Sequence, residues 1–204
     1  MDAAIYIYTF KEGLLSKLAH DLRLTLTRFE ISARGTEVSA RFDPTSLVVD
    51  GAMKGGKLER GELSDGDKKK IRDNLLGDVL RTRDHTEVRF VGRTSSREPP
   101  FTIEGDLTLC GTTRPLSLML LVRGERLVAD VEIVPSQWGI KPFRALGGTL
   151  RVQDRVLLRI DASAEWLTTH GAELNPAVQL VWAPGGNKPS SSRPSTATKS
   201  SRPT

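Results

Sequence analysis

The dominant pattern in the chain is an alternation of apolar and polar residues over short stretches. In residues 21–27, Leu22, Leu24 and Leu26 alternate with polar side chains. Half-buried antiparallel strands have this period of two, with one face towards an apolar interior and the other towards water. The sequence therefore predicts many short strands arranged as a barrel or a sandwich. The same pattern recurs at 37–42, 87–90, 101–104, 116–118, 127–133 and 156–161.

Three dipeptides between these stretches predict turns, namely Arg34-Gly35, Arg123-Gly124 and Gln153-Asp154. Residues 64–80 have a different period. Ser64 can cap a helix, and the apolar residues that follow recur at helical spacing, with charged residues on the opposite side. This segment predicts one amphipathic helix that packs against the strands.

The end of the chain has a different composition. Residues 183–204 consist mainly of Pro, Gly, Ser, Thr and basic residues and contain no large apolar side chain, so they predict a disordered tail. Residues 169–182 are interpreted as an extension of a barrel domain at 1–168. Within the extension, residues 177–182 predict either one more strand or a segment that packs across the barrel.

The net charge of +5 comes largely from that tail. The tail contains four of the 30 basic residues and no acidic residue, so the rest of the chain carries 26 basic residues against 25 acidic ones. A surface that follows a phosphate backbone needs a one-sided excess of positive charge, and a stacking platform needs more aromatic residues than 5 %. Nucleic acid is therefore not an expected partner.

The sequence also bears on the compartment. No stretch approaches the ~18 apolar residues of a membrane span. The single Cys110 excludes an intramolecular disulfide, and residues 1–4 lack the basic region of a secretion signal. These features predict a cytoplasmic protein without a membrane span, and they are compatible with a homodimer.

Residues 51–58 match the spacing of a phosphate-binding loop, except that Leu58 stands where Ser or Thr would hold magnesium. The loop also needs a helix that begins at its lysine. Here Lys57 is followed by turn-forming residues instead. We interpret the segment as a glycine-rich connection.

No catalytic residue, metal ligand or cofactor site is predicted. His20, His85 and His170 have no partner at metal-ligand spacing. Cys110 stands where a strand runs into a turn, without the helix N-terminus or basic cluster that lowers a thiol pKa. We therefore expect Cys110 to be structural and His20 to form hydrogen bonds near one end of the barrel.

Three blocks of the sequence resemble the YceI-like family. Residues 105–115, Gly-Asp-Leu-Thr-Leu-Cys-Gly-Thr-Thr-Arg-Pro, are similar to its most recognisable block, in which Gly111 permits a turn between two strands. Residues 136–143 resemble its Ser-x-x-Gly-Ile-x-Pro-Tyr/Phe segment, and residues 18–22 resemble its His-Asp-Leu strand. The resemblance covers about residues 5–164.

The resemblance implies a mainly β fold, an eight-stranded antiparallel lipocalin-like β-barrel with one amphipathic helix. Its lumen would bind a lipid-like small molecule, such as a polyisoprenoid, a quinone or a fatty acid, and the protein would not be an enzyme. Trp138 and Phe143 are expected at the rim, and His20 beside the polar head of the ligand. Alternation places the other ligand-binding residues on the inward face: Leu22, Leu24, Leu26, Val88, Phe90, Ile103, Leu107, Leu116, Leu118 and Leu120.

Two alternatives use the same barrel. One is an enzyme or metal protein centred on His20, and the other is a structural module whose interior is filled by side chains. The interior distinguishes the three readings. A long apolar tunnel supports lipid binding, a polar cluster around His20 supports chemistry, and a packed lumen supports the structural module.

Overall fold

A computed structural model describes residues 3–12, 20–96, 98–145, 147 and 150–163, and the backbone of residues 178–182. Within these residues the fold is mainly β, with antiparallel strands and one α-helix. Thirteen strands form the sheet. They are β1 (Ala3–Lys11), β2 (Asp21–Leu26), β3 (Phe29–Arg34), β4 (Glu37–Phe42), β5 (Leu47–Lys54), β6 (Lys57–Glu59), β7 (Val88–Thr94), β8 (Phe101–Leu109), β9 (Thr112–Arg123), β10 (Arg126–Ile133), β11 (Arg144–Ala145), β12 (Leu150–Ser163) and β13 (Val178–Trp182).

The sheet curls round on itself. Its strands are paired in the order β13-β3-β4-β7-β8-β9-β10-β12-β1-β2-β5-β6, with β11 beside β12. Strand β2 leads into β3 through only Thr27 and Arg28, and β2 pairs with β5 while β3 pairs with β4. The pair β3 and β4, near one end of this order, and the pair β2 and β5, near the other end, therefore form one long hairpin that bends at a corner.

The predicted count of eight strands does not match the structure. Strands β6, β11 and β13 are short additions of three, two and five residues. In addition, the bend divides each long strand of the hairpin into two, β2 with β3 and β4 with β5. Across the corner the apolar positions change phase, from Leu22, Leu24 and Leu26 in β2 to Phe29 and Ile31 in β3.

Ser46 holds the corner of the bent hairpin. Among the residues that the structure describes, Ser46 is the one buried polar residue, at 5 % exposure. Its hydroxyl accepts hydrogen bonds from the backbone N–H groups of Thr27 at 3.3 Å and Arg28 at 2.9 Å, and it donates to the carbonyl of Asp43 at 2.7 Å. These bonds satisfy backbone groups that the bend removes from the ladder.

Residues 64–80 form the predicted helix. Ser64 and Asp67 make a reciprocal capping box at the start of α1 (Asp65–Asn74), and a π-helical turn (Leu75–Val79) follows. Arg72 fixes the helix to the sheet corner, because its guanidinium donates to the carbonyls of Leu47 at 2.9 Å and Thr45 at 2.7 Å. The helix therefore lies against β5.

Two of the three predicted turns are confirmed. Gly35 and Gly124 connect strands in positive-φ conformations. The turn predicted at Gln153-Asp154 is wrong, because β12 continues through both residues. Asp154 accepts the backbone N–H of Ser136 at 2.9 Å, and Gln153 donates to the carbonyl of Lys11 at 2.9 Å. These polar side chains bind neighbouring backbone at the strand end and do not reverse the chain.

Residues 51–58 form a β-hairpin. Strand β5 ends at Lys54, β6 begins at Lys57, and Gly55 and Gly56 between them have φ of 57° and 78°. No helix begins at Lys57, which agrees with a glycine-rich connection and excludes the phosphate-binding loop geometry.

Two clusters of buried side chains make up the core. The first contains Phe90, Ile103, Leu107 and Trp138, and the second contains Ile5, Leu24, Leu26 and Leu47, each with smaller neighbours. The residues that pack against both clusters are Ile31, Phe42, Leu80 and Ile160.

The predicted domain boundary at 168 and the predicted tail at 183–204 lie outside the described residues. Strand β13 falls within the predicted extension and pairs with β3, Val178 lying opposite Ala33. Among the described helices, none has the length and apolar character of a membrane span.

Candidate functional site: an apolar cavity

The inner face of the curled sheet and helix α1 surround a cavity of about 650 Å³. This volume lies within the ~300–1,000 Å³ typical of small-molecule sites. A cavity of only ~150 Å³ in an apolar core can already hold benzene. The interior of this protein is therefore not filled by its own side chains.

Three adjacent strands build one wall of the cavity in layers. On β1, Ile5 and Ile7 point inward, and each lies opposite an inward residue on both neighbouring strands. Ile7 is paired with Leu24 on β2 and Leu158 on β12. One strand position further along the same face, Ile5 is paired with Leu26 and Ile160. Because alternate residues share a face, the wall is continuously apolar.

Helix α1 and the turn after it contribute the opposite side of the cavity. Ile71 and Leu75 are four residues apart, so they lie on the same helical face. The remaining apolar lining residues come from the helix region, from β2, β4, β5, β7, β8, β10, β11 and β12, from the turn after β4 and from the loop after β10: Leu22, Phe42, Pro44, Leu47, Leu63, Val79, Leu80, Val88, Leu107, Leu109, Ile133, Pro135, Ile140, Pro142, Phe143, Ala145, Leu150, Val152 and Val156.

One end of the cavity, which we call the mouth, lies where β1 ends at Lys11. Val152 is paired with Lys11, and its backbone N–H donates to the carbonyl of Phe143 at 3.1 Å. Lys11 in turn donates its backbone N–H to Asp21 at 2.8 Å, next to His20. The polar residues that line the cavity belong to these segments or to the helix region: Thr9, Lys11, His20, Glu62, Asp67, Lys70, Asn74, Lys141, Gln153 and Asp154.

The cavity is long as well as apolar. Ile5 and Lys11 both line it, and they are six residues apart on β1. A strand advances about 3.4 Å per residue, so this wall is roughly 20 Å long. The arrangement can hold an extended apolar chain with its polar end at the mouth.

Asp67 connects the electrostatics of the mouth to the helix cap. Hydrogen bonds from the side chain and backbone of Ser64 lower its pKa, and the charges of Lys70 and His20 lower it further. His20 is thus close enough to interact with Asp67, and its ring is partly exposed at the mouth. Within the described part of the chain, no three His, Cys, Asp or Glu residues cluster in a way that could hold a metal ion.

The structure brings seven of the predicted site residues to the cavity and places the others elsewhere. The residues that line it are His20, Leu22, Leu24, Leu26, Val88, Leu107 and Phe143. Those that do not are Phe90, Ile103, Leu116, Leu118, Leu120 and Trp138.

The stripe on β9 is on the inner side but packs against side chains. Leu118 on β9 lies opposite Ile103 on the paired strand β8. Leu116 and Leu118 pack against the first core cluster. Strand β9 pairs with β10 only at residues 121–123, next to the turn. Over the rest of its length β9 is paired with β8, from Leu120 opposite Phe101 to Thr112 opposite Leu109.

Phe90 and Trp138 fill the interior beside the cavity. Gly92 and Gly105 lie opposite each other, and a Cβ on either would come within 2.8 Å of the Phe90 ring. Trp138 is 3 % exposed, and its indole Nε1–H donates to the carbonyl of Leu107 at 3.0 Å. Trp138 is therefore a core residue and does not form the expected rim.

The sequence reasoning missed the lining residues of β1 and of the helix. Ile5 and Ile7 alternate with Tyr6 and Tyr8 in Ala3–Lys11, which is the signal that predicts a half-buried strand. The helix was predicted, but its apolar residues were assigned to packing on the strands alone. Ile71 and Leu75 instead face the cavity.

Cys110 has the features of a structural thiol. It is 7 % exposed, and its Sγ–H donates to the carbonyl of Leu80 at 3.3 Å. Burial raises the pKa of the thiol, and the opposing effect of the Arg81 charge is smaller. The neutral thiol is therefore the favoured form at neutral pH.

Comparisons with known proteins agree with this architecture. The YceI-like domain family matches residues 14–164. BcnA from Burkholderia cenocepacia has a similar structure, with a TM-score of 0.51, 12 % identity, and coverage of 78 % of this chain and 94 % of BcnA. At that identity the likeness shows a shared fold only. No curated protein matches the sequence.

Two further structures are similar at lower scores. One is described as a polyisoprenoid binding domain from Saccharophagus degradans implicated in plant cell wall breakdown, with a TM-score of 0.49, 8 % identity, and coverage of 78 % of this chain and 91 % of that one. The other is the Campylobacter jejuni YCEI protein, with a TM-score of 0.47, 13 % identity, and coverage of 69 % and 82 %.

Proposed function

The chain belongs to the YceI-like domain family, and we propose that it binds one long apolar molecule in the cavity for carriage, storage or sensing. The cavity itself is the observation that supports this proposal. An interior of about 650 Å³ whose lining side chains are mostly apolar, many of them Ile, Leu and Val, offers a ligand few hydrogen-bonding groups along its strand walls. It suits a molecule whose buried part needs none.

The binding energy would come from removing an apolar chain from water. Each buried CH₂ contributes about 0.8 kcal/mol, so ten methylenes contribute about 8 kcal/mol. Association itself costs an estimated 4–15 kcal/mol. A long chain can therefore reach useful affinity where a short one cannot, which favours ligands such as a polyisoprenoid, a quinone or a fatty acid.

Two observations weigh against the alternatives. The cavity disfavours a structural module with a filled interior, although the Phe90 and Trp138 side of the interior is packed. At the mouth, Asp67 makes hydrogen bonds that cap the helix, so its carboxylate is engaged in structure and does not orient His20 for catalysis. Passive binding fits these residues best.

Native mass spectrometry of the purified protein, followed by analysis of its organic extract, tests the proposal directly. We expect an added mass that disappears on extraction and is recovered as a lipid-like molecule. Protein that carries no such mass and takes up no long-chain lipid when one is supplied contradicts the proposal.

A matched pair of variants then tests the location. Leu158 lines the cavity, whereas its neighbour Leu157 on the same strand does not. Leu158→Trp should occupy part of the cavity and weaken lipid binding while stability holds, because a cavity accepts a larger side chain at low cost. Leu157→Trp should leave binding unchanged. Equal loss in both variants would place the ligand elsewhere.

A further inference from the structure

We propose that the ligand is an anionic amphiphile whose carboxylate or phosphate head is bound at the mouth by Lys11, Lys70 and Lys141. This inference rests on the proposed lipid-binding function and adds the charge of the head group. It also assigns each end of the ligand to a place, with the apolar chain along β1 and the head beside the three ammonium groups.

The three lysines come from different parts of the fold and meet at one cavity. Lys11 is the last residue of β1, Lys70 stands on the face of α1 that also carries Asp67 and Asn74, and Lys141 lies in the loop after β10. The loop is tied to the Lys11 end of the sheet by the bond between Val152 and Phe143. All three lysines line the cavity and are exposed to solvent.

The three carboxylates that line the same cavity are already engaged. Asp154 accepts the backbone N–H of Ser136 at 2.9 Å, and Asp67 accepts the hydroxyl of Ser64 at 2.6 Å. Glu62 lies 3.8 Å from the ammonium of Lys54, which is not a lining residue. The lining acids therefore have partners other than the three lysines.

The lysines have no such partners in the described part of the chain. Its ion pairs within 4 Å involve other basic residues. Lys70 acts on Asp67 only as a more distant charge. Like charges that line one cavity repel one another, and a bound anion would reduce that repulsion.

The two ends of the cavity together define the chemistry of the ligand. Around Ile5, Leu26 and Ile160 the wall is apolar, and near the end of β1 the lining includes lysine ammonium groups. A neutral lipid satisfies only the first condition, and a small anion only the second. An amphiphile with a carboxylate or phosphate head satisfies both. The experiment tests the carboxylate head and the phosphate head separately.

The experiment compares four lipids on the full chain. Palmitate and farnesyl phosphate carry anionic heads, and hexadecanol and farnesol are the corresponding alcohols. Each lipid is titrated as a competitor of the neutral dye Nile red, with calorimetry as a direct check. We expect at least one acid to bind more tightly than its alcohol, and the difference to shrink as salt is raised, because exposed charges are screened. The pair that shows the difference identifies the head as a carboxylate or a phosphate.

Lysine variants assign the effect to the mouth. Lys11→Gln with Lys141→Gln, and then with Lys70→Gln as well, should weaken binding of the acid by roughly two- to five-fold per lysine, the range of exposed ion pairs. Binding of the alcohol should not change. The control is the double variant Lys57→Gln with Lys68→Gln. Neither Lys57 nor Lys68 lines the cavity, so this variant should bind the acid as the parent protein does.

The possible failures are distinct. If acids and alcohols bind equally, or if the variants weaken both equally, the anionic head is wrong and lipid binding stands. If neither Nile red nor any of the four lipids binds, the proposed function itself fails.

Discussion

The indole of Trp138 donates a hydrogen bond to the backbone carbonyl of Leu107, at 3.0 Å. The bond joins the loop after β10 to strand β8, and both contribute to the cavity, through Ile140 and Leu107 respectively. Trp138 thus supports the cavity from outside it. Its carbonyl partner is buried, so the indole N–H satisfies a group that water does not reach.

Trp138→Phe should lower the free energy of unfolding by about 1–3 kcal/mol, because the smaller ring leaves a gap and the indole N–H no longer donates to Leu107. Urea unfolding at equilibrium measures this change. Gln137→Ala is the matched control, since the side chain of Gln137 is exposed. A change of only a few tenths of a kcal/mol in Trp138→Phe would show that the contact does not hold the loop.

The corner of the bent hairpin should show a pH-dependent contribution from Asp43. Burial raises the pKa of this carboxyl, but hydrogen bonds from Thr45 and Arg28 outweigh burial, and the pKa is lower than its ordinary value of 3.8. A pKa that is lower in the folded chain stabilises the fold above the unfolded pKa. That contribution is lost as the pH falls through the folded pKa.

Asp43→Ala should therefore cost about 0.5–1 kcal/mol at neutral pH, a low value because the side chain is about one-third exposed and its interactions are screened. The cost should become smaller at the lowest pH at which both proteins still fold, because the carboxyl of the parent protein takes up a proton as the pH falls through its folded pKa. Urea unfolding of both proteins at the two pH values measures the difference. Glu125→Ala, in the exposed turn between β9 and β10, is the control, and a cost that is independent of pH would contradict the assignment.

The periodicity of the sequence predicted the fold class and most strands, because each strand has one buried face. The alternation changes phase between Leu26 and Phe29, but the residue that holds the corner, Ser46, is recognisable only from the backbone groups around it. The turn at Gln153-Asp154 was wrong for a related reason. Polar side chains predict a loop only where their hydrogen-bond partners are local, and here the partners are Lys11 and Ser136.

The site was predictable to the extent that alternation determines a face. Leu22, Leu24 and Leu26 were placed correctly along the cavity. Leu116 and Leu118 were placed on the inner side, but alternation does not tell whether the space in front of a face is empty or filled. That depends on where the pairing of β9 with β10 ends and on large side chains such as Phe90 from other strands.

Cys110 should be unreactive in the folded protein. Burial raises the pKa of its thiol, and it is the thiolate that attacks a disulfide reagent. We expect a disulfide reagent such as dithiobis-nitrobenzoate to label native protein far more slowly than urea-unfolded protein, which serves as the control. Since Cys110 is the one cysteine in the chain, the released thiolate reports on it alone. Rapid stoichiometric labelling of folded protein would show that the hairpin from β8 to β9 opens readily.

The final prediction distinguishes the filled and empty parts of the interior. Leu118 and Leu158 both pack against the first core cluster, but of the two only Leu158 also lines the cavity. Leu118→Trp should therefore overpack a full region and lower the free energy of unfolding by about 1–3 kcal/mol. Its lipid affinity should remain close to that of the parent protein.

Leu158→Trp should behave in the opposite way, with lower lipid affinity and nearly unchanged stability. Urea unfolding and Nile red titration on both variants measure the two quantities together, and Ser117→Ala, beside Leu118 on the outer face of β9, is the control for stability. If Leu118→Trp loses affinity and keeps its stability, the ligand lies against β9, and the cavity along β1 is not the binding site.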